Sequence, residues 1–245
     1  MRVPRTYRYG SDASQISDLH LPAGGGPWPV AVVIHGGFWR ARYDRTLMDA
    51  VSADLATRGW AAWNLEYRRI GPGGNGGWPA TFDDVSAGID QLARLDAPID
   101  IGRVVTIGHS AGGHLALWAA TRAESQVPLY SVVGQAAVTD LAQASRLGLS
   151  DGAVDELLGG GPGEVPDRYA AASPVQRLPL GVPTLLVHGA RDDTVPVTFS
   201  LEFRAAAVAA GDPCDLVVAE RDGHFEHIDP ASAAWATVTR WLQAL

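Results

Sequence analysis

Short apolar runs rich in β-branched residues recur along the chain, bounded by Gly, Pro or charged clusters, and alternate with longer helix-forming segments. The runs predict strands over residues 5–9, 15–20, 30–35, 61–66, 104–109, 131–137, 184–188 and 215–220. The longer segments predict helices over 44–58, 81–95, 113–122, 197–210 and 233–245. Gly59 and Gly211 stand where a helix end takes a left-handed residue, and Pro196 stands near a helix start. A hairpin at the front followed by alternating strand and helix predicts an α/β class: a mostly parallel, twisted sheet of about eight strands with helices on both faces. Ligands of such sheets bind at the carboxyl ends of the strands.

Two stretches interrupt the alternation. Residues 71–79, Gly-Pro-Gly-Gly-Asn-Gly-Gly-Trp-Pro, cannot pack as a regular element and lack the Gly-Lys-Ser/Thr ending of a phosphate loop. Residues 139–176 separate two strands with short helical pieces and glycine turns, which predicts a small cap-like insertion that shapes a pocket. With no internal repeat or linker, the expectation is one domain over residues 1–245.

The 245 residues are 47% hydrophobic, enough for a sizeable core. No run approaches the roughly 18 apolar residues that a membrane helix needs, and the first residues lack the apolar segment of a secretory signal. A cytoplasmic protein without membrane attachment is expected. The net charge of −8, with acids and arginines interspersed, argues against a nucleic-acid surface. A lone cysteine, Cys214, allows neither an internal disulfide nor a cysteine zinc cluster, and its place beside a strand points to core packing.

The candidate chemistry begins at Gly108-His109-Ser110-Ala111-Gly112, which follows the β-branched run Val104-Val105-Thr106-Ile107 and precedes a helix-forming segment. A serine hydroxyl is a poor nucleophile unless a sharp strand-to-helix turn lifts it clear of the fold and aims it at a base. Ser110 is therefore the candidate nucleophile. A base, an acid to orient it and donors for an oxyanion must accompany it. Asp192 and Asp193 lie beyond the run 184–188, and His224 and His227 lie beyond the run 215–220, each at the end of a predicted strand.

These segments resemble the α/β-hydrolases over essentially the whole chain, in the branch of hormone-sensitive-lipase-like esterases, kynurenine formamidases and prolyl-oligopeptidase catalytic domains. The motifs are His35-Gly36-Gly37-Phe38-Trp39, Glu66-Tyr67-Arg68, Gly108 to Ala116, His188-Gly189-Ala190-Arg191-Asp192 and Gly223-His224-Phe225. The resemblance implies the order serine, aspartate, histidine, with Asp192 favoured over Asp193 and His224 over His227. It also implies an oxyanion hole of the N–H groups of Gly37, Phe38 and Ala111. Phe38 replaces the third glycine of the lipase-like motif and resembles the aromatic form found in formamidases.

His35, His109, His114 and His188 lack ligand spacing, so core or supporting imidazoles are expected rather than a metal site. Asp193 is expected to cap a turn and His227 to lie at the surface or in the pocket. Phe38, Trp39, Trp78 and Phe225 are candidates for the pocket wall, and Arg68 and Arg69 for structural pairing near Glu66. The expected activity is cofactor- and metal-independent hydrolysis of small carboxylic esters or compact amides through an acyl-enzyme, by a monomer or homodimer. Alternatives are an arylformamidase, an aminopeptidase-like enzyme, an acyltransferase or cyclase on the same triad, and a noncatalytic binding protein.

Overall fold

In the computed structural model, which describes residues 3–245, one sheet of eight strands is formed. Its strands are β1 (Arg5–Arg8), β2 (Ile16–His20), β3 (Trp28–Ile34), β4 (Ala61–Leu65), β5 (Ile99–His109), β6 (Ser131–Gln135), β7 (Thr184–Gly189) and β8 (Cys214–Ala219). They lie in the order β1-β2-β4-β3-β5-β6-β7-β8. β2 pairs antiparallel with β1 and β4, and every later pairing is parallel.

The helices are α1 (Asp49–Thr57), α2 (Ala80–Asp90), α3 (Ala111–Ala119), α4 (Leu141–Arg146), α5 (Ala153–Leu158), α6 (Pro166–Ala172), α7 (Thr198–Ala209) and α8 (Ala233–Ala244). Alternate residues of β3 enter different core layers, which is why its run is apolar without interruption. Val30, Val32 and Ile34 join Phe82 and Val85 of α2, Leu115 of α3 and Phe199 and Phe203 of α7. Ala31 and Val33 join Val51 and Leu55 of α1 and Trp235, Val238 and Leu242 of α8. Each fully buried side chain of this size contributes about 1.5–3 kcal/mol to the fold.

Three of the boundary differences from the sequence expectation have a clear local reason. β5 begins at Ile99 rather than 104, because Ile99 and Asp100 pair with Trp28 and Pro29 before a bulge restores the ladder at Val104. The polar residues of that bulge hide the early pairing from an apolar pattern. β6 ends at Gln135 rather than 137, where Ala136 turns to φ 46°. The expected helix over 44–58 opens as a 3₁₀ turn, Arg45–Met48, capped by the Asp44 carboxylate on the Thr46 amide (2.9 Å).

Between β6 and β7 the chain makes α4, α5, α6 and a 3₁₀ turn, Pro174–Arg177, in the region of the expected insertion. Among the described residues no helix is long and apolar enough to cross a membrane.

Candidate active site

Ser110 sits at the carboxyl end of central strand β5, between His109 and the first residue of α3. Its backbone takes φ 56°, ψ −119°, a conformation that costs a non-glycine residue about 1–3 kcal/mol and needs surrounding contacts to hold it. Two of those contacts are the Ser110 N–H bond to Gln135 O (2.8 Å) and the His114 N–H bond to Ser110 O (3.0 Å). The turn is possible because Gly108 and Gly112 lack side chains. A Cβ on Gly108 would collide with the Gly112 carbonyl, and one on Gly112 with the Ile34 carbonyl. Ser110 Oγ is buried without a hydrogen-bond partner among the described residues.

Asp192 follows β7 and His224 follows β8, so neighbouring parallel strands deliver both to the same edge. His224 Nδ1 donates to Asp192 Oδ2 at 2.7 Å. That bond fixes the proton on Nδ1 of the neutral ring and leaves Nε2 with its lone pair. The Asp192 side chain is fully buried, and Oδ1 accepts from the amides of Thr194 (2.9 Å) and Val195 (2.8 Å). His188 Nε2 faces both Val195 O (2.9 Å) and Asp192 Oδ2 (3.3 Å), two acceptors, so it carries hydrogen and donates. Burial raises the Asp192 carboxyl, but the hydrogen bonds from His188 and His224 and the attraction of His224 outweigh it. The group is held far below the usual carboxylate range.

Asp193 makes no hydrogen bond to His224; its carboxylate accepts from Thr194 Oγ1 (3.2 Å). His227 corrects the expectation of a surface or pocket position. It is fully buried, with neither ring nitrogen hydrogen-bonded among the described residues, its ring 6.1 Å from that of His109 and 6.5 Å from that of His188. Burial, with His188 and His224 nearby, pushes it down to about 4.

The loop after β3 brings Gly37 and Phe38 to the same edge, both at positive φ (99° and 49°). No hydrogen bond is made by the N–H of Gly37, Phe38 or Ala111 to the described residues. Glu66 secures this loop: its carboxylate takes His35 Nε2 (2.9 Å), the Arg45 amide (3.0 Å) and the Tyr67 amide (2.8 Å), with Arg69 at 3.3 Å. Burial alone would raise Glu66, yet His35 and Arg69 bring it below its ordinary value. The Tyr67 hydroxyl donates to His35 O (2.8 Å) while its ring stacks on His35. Arg68 instead pairs with Asp84 (2.6 Å).

Ser110 and His224 both line a cavity of about 510 Å³. Phe38, Leu47, Leu149, Phe225 and Ile228 give it an apolar wall, and Gly37, Tyr43 and His109, with the charged Arg42 and Asp193, line it as well. Phe225 stands at the rim, 64% exposed. Trp39 and Trp78 do not reach this wall. Trp39 is fully buried edge-on to His114, and Trp78 packs edge-on to Phe82. Leu47 and Leu149 were not legible as site residues: one comes from the 3₁₀ turn before α1, the other from the chain between α4 and α5. Among the described residues no group of three or more His, Cys, Asp or Glu is arranged to hold a metal ion.

The model of the BD-FAE family matches residues 17–206. The chain belongs to the BD-FAE family. That match runs from β2 into α7, so it takes in Ser110 and Asp192, while His224 lies beyond it. This BD-FAE chain is 27% identical to Esterase LipC of Mycobacterium tuberculosis over 91% of its own length, and spans 62% of that relative.

Solved structures with the same fold include a truncated carbohydrate esterase from gut microbiota (TM-score 0.85, 21% identity, 99% of this chain and 96% of that one). An acetyl ester-xyloside bifunctional hydrolase from Caldicellulosiruptor lactoaceticus superposes with TM-score 0.81 at 22% identity, covering 99% and 97% of the two chains. A butyrate-bound esterase from Thermogutta terrifontis gives TM-score 0.77 at 22% identity, over 98% and 92%. The BD-FAE chain therefore has the α/β-hydrolase fold that these esterases share.

Proposed function

We propose that the protein is a serine hydrolase of small carboxylic esters, with Ser110 as nucleophile, His224 as base and Asp192 as the group that orients it. The observation that carries the reading is the 2.7 Å bond from His224 Nδ1 to a buried Asp192, made on the same cavity wall that holds Ser110. With its Nδ1 proton so committed, His224 presents Nε2 as a base. Ser110 Oγ, which has no other partner among the described residues, gives its proton to Nε2 as the oxygen attacks the ester carbonyl. In free hydrolases this link is commonly long and tightens when substrate arrives.

The oxygen of the tetrahedral intermediate gains negative charge and is received by the N–H groups of Gly37, Phe38 and Ala111. Donors already fixed in a water-poor site stabilise it without reorganising. His224 then protonates the departing alcohol, and water repeats the sequence to release the acid. The apolar wall of Phe38, Leu47, Leu149, Phe225 and Ile228 suits a short aliphatic or aryl group, and a volume of about 510 Å³ is in the range of small-molecule sites. Esterase LipC, a relative by sequence, agrees in reaction class.

The test is hydrolysis of p-nitrophenyl esters of rising chain length beside N-formylkynurenine and aminoacyl amides, by the parent and by Ser110→Ala. Turnover of short esters that vanishes in the folded variant supports the proposal. A sharp preference for the formyl compound would make the enzyme an arylformamidase, and undiminished turnover by the variant would end the serine mechanism.

A further inference from the structure

The base loop, residues 221–227, is tied to the rest of the site at few points. Asp192 holds the His224 ring, Gln135 Nε2 donates to His227 O (2.8 Å), and the Gly223 amide bonds Glu226 within the loop (2.9 Å). The Arg191 amide also donates to Asp222 O (3.0 Å), and a further tie, the one that reaches the backbone of His224 itself, comes from the residue just before Ser110. His109 Nε2 lies 2.8 Å from the backbone oxygen of His224 itself, and that contact is buried. A carbonyl only accepts, so His109 Nε2 carries hydrogen and donates. The His109 ring also lies 4.6 Å from the His224 ring and 6.1 Å from Phe225. One residue thus joins the turn that carries the nucleophile to the backbone of the base, across 115 positions of sequence.

We infer that His109 is a positioning residue which, through its bond to His224 O, fixes the distance and angle between the base and Ser110. The inference rests on the hydrolase reading above. The physical case is one of tolerance. Ser110 Oγ and His224 share no hydrogen bond in the free protein, so the pair must close a gap when substrate binds. How often it does so depends on how far the base loop wanders, and a misplacement of about 1 Å can cost about 100-fold in rate. The Asp192 bond governs the tilt of the His224 ring, whereas the His109 bond governs where its backbone stands.

His109 is a poor second base, because burial, reinforced by His224 and His227, keeps its ring well below the ordinary imidazole value. Its effect should therefore fall on turnover and leave substrate affinity alone.

Two substitutions of equal length separate the bond from the packing. The amide of His109→Gln places an N–H where the ring Nε2 stood, and His109→Met fills similar space with no donor. His109→Phe provides a bulkier donor-free replacement if the Met variant does not fold. With p-nitrophenyl acetate, the donor-free variant is expected to lose at least about 10-fold in kcat with KM within about 2-fold, while His109→Gln stays within about 3-fold of the parent.

Equal kcat in the donor-free and Gln variants, whether both high or both low, overturns the inference, as does a loss confined to KM. Ser110→Ala, run alongside, distinguishes the levels of failure. If it is inactive while the donor-free variant is unimpaired, only the positioning role falls. If it is as active as the parent, the hydrolase reading falls with it.

Discussion

Replacing Asp192 by Asn would remove one charge and create a conflict that the geometry makes hard to escape. Four donors converge on this carboxylate: the Thr194 and Val195 amides on Oδ1, and His224 Nδ1 and His188 Nε2 on Oδ2. An asparagine has one accepting oxygen, and its NH₂ only donates. If the oxygen stays with the two amides, the NH₂ faces His224 Nδ1. The ring escapes that clash by moving its proton to Nε2, and it is then no base for Ser110. If the side chain flips, the amides of the loop lose their acceptor instead.

A hydrogen bond to a charged group contributes about 1.5–3 kcal/mol, and a donor facing a donor in a buried site costs a similar amount. The productive arrangement should therefore lose about 3–6 kcal/mol, or roughly 10²- to 10⁴-fold in kcat at about 1.4 kcal/mol per decade. Stopped-flow or plate hydrolysis of p-nitrophenyl acetate measures it, with circular dichroism to verify the fold. A folded variant whose kcat stays within about 10-fold of the parent would refute the reasoning, because it would mean that His224 does not depend on this partner.

Three further outcomes are expected. Gly112→Ala places a methyl group against the Ile34 carbonyl in the rigid centre of the sheet, and should lower stability by at least about 1–3 kcal/mol in urea unfolding; an unchanged midpoint would mean that the turn has room. Ser110→Gly relieves the positive φ and should melt above the parent while losing turnover, the reverse of what most glycine substitutions do.

The third outcome concerns pH. Burial pushes His114 and His227 down to about 4, so the unfolded chain takes up protons that the folded one refuses as pH falls from about 6.5. Stability should decline through that window by roughly 3 kcal/mol for each ring by pH 4, and the depressed Asp192 adds a loss only below about pH 4. Because both His227 nitrogens lack partners among the described residues, His227→Leu should flatten the decline at little cost at pH 7, and a melting temperature with the parent's full acid slope would contradict the assignment.

The central strands could be read from sequence because β3, β4, β6 and β7 are buried on both faces and read as uninterrupted, largely apolar runs, β3 most plainly. The extension of β5 could not, since the Asp100-Ile101-Gly102-Arg103 stretch pairs or bulges through its backbone while its side chains read as a loop. Ser110 was legible because its turn needs glycines on both sides. The partnership of Asp192 with His224 was not legible from spacing alone, as Asp193 and His227 lie one and three residues away and only folding decides which side chain faces inward.

The cavity wall was least legible. Trp39 and Trp78 were expected there as large rings near the site, but the interior has more use for them, whereas Leu47 and Leu149 arrive from segments whose approach no local pattern encodes. The work of Glu66 is likewise invisible in sequence, because its ties to His35 and to the Arg45 amide join residues far apart along the chain.

The central claim is that Ser110 is a nucleophile made reactive by His224. Incubation with a fluorophosphonate followed by peptide mass spectrometry is the sharpest test, since such reagents react far faster with an activated serine than with an ordinary one. The account predicts a single phosphonate per chain, on Ser110, formed quickly by the parent and far more slowly by His224→Ala. An unlabelled Ser110 in folded protein, or equal labelling with and without the His224 imidazole, would contradict it.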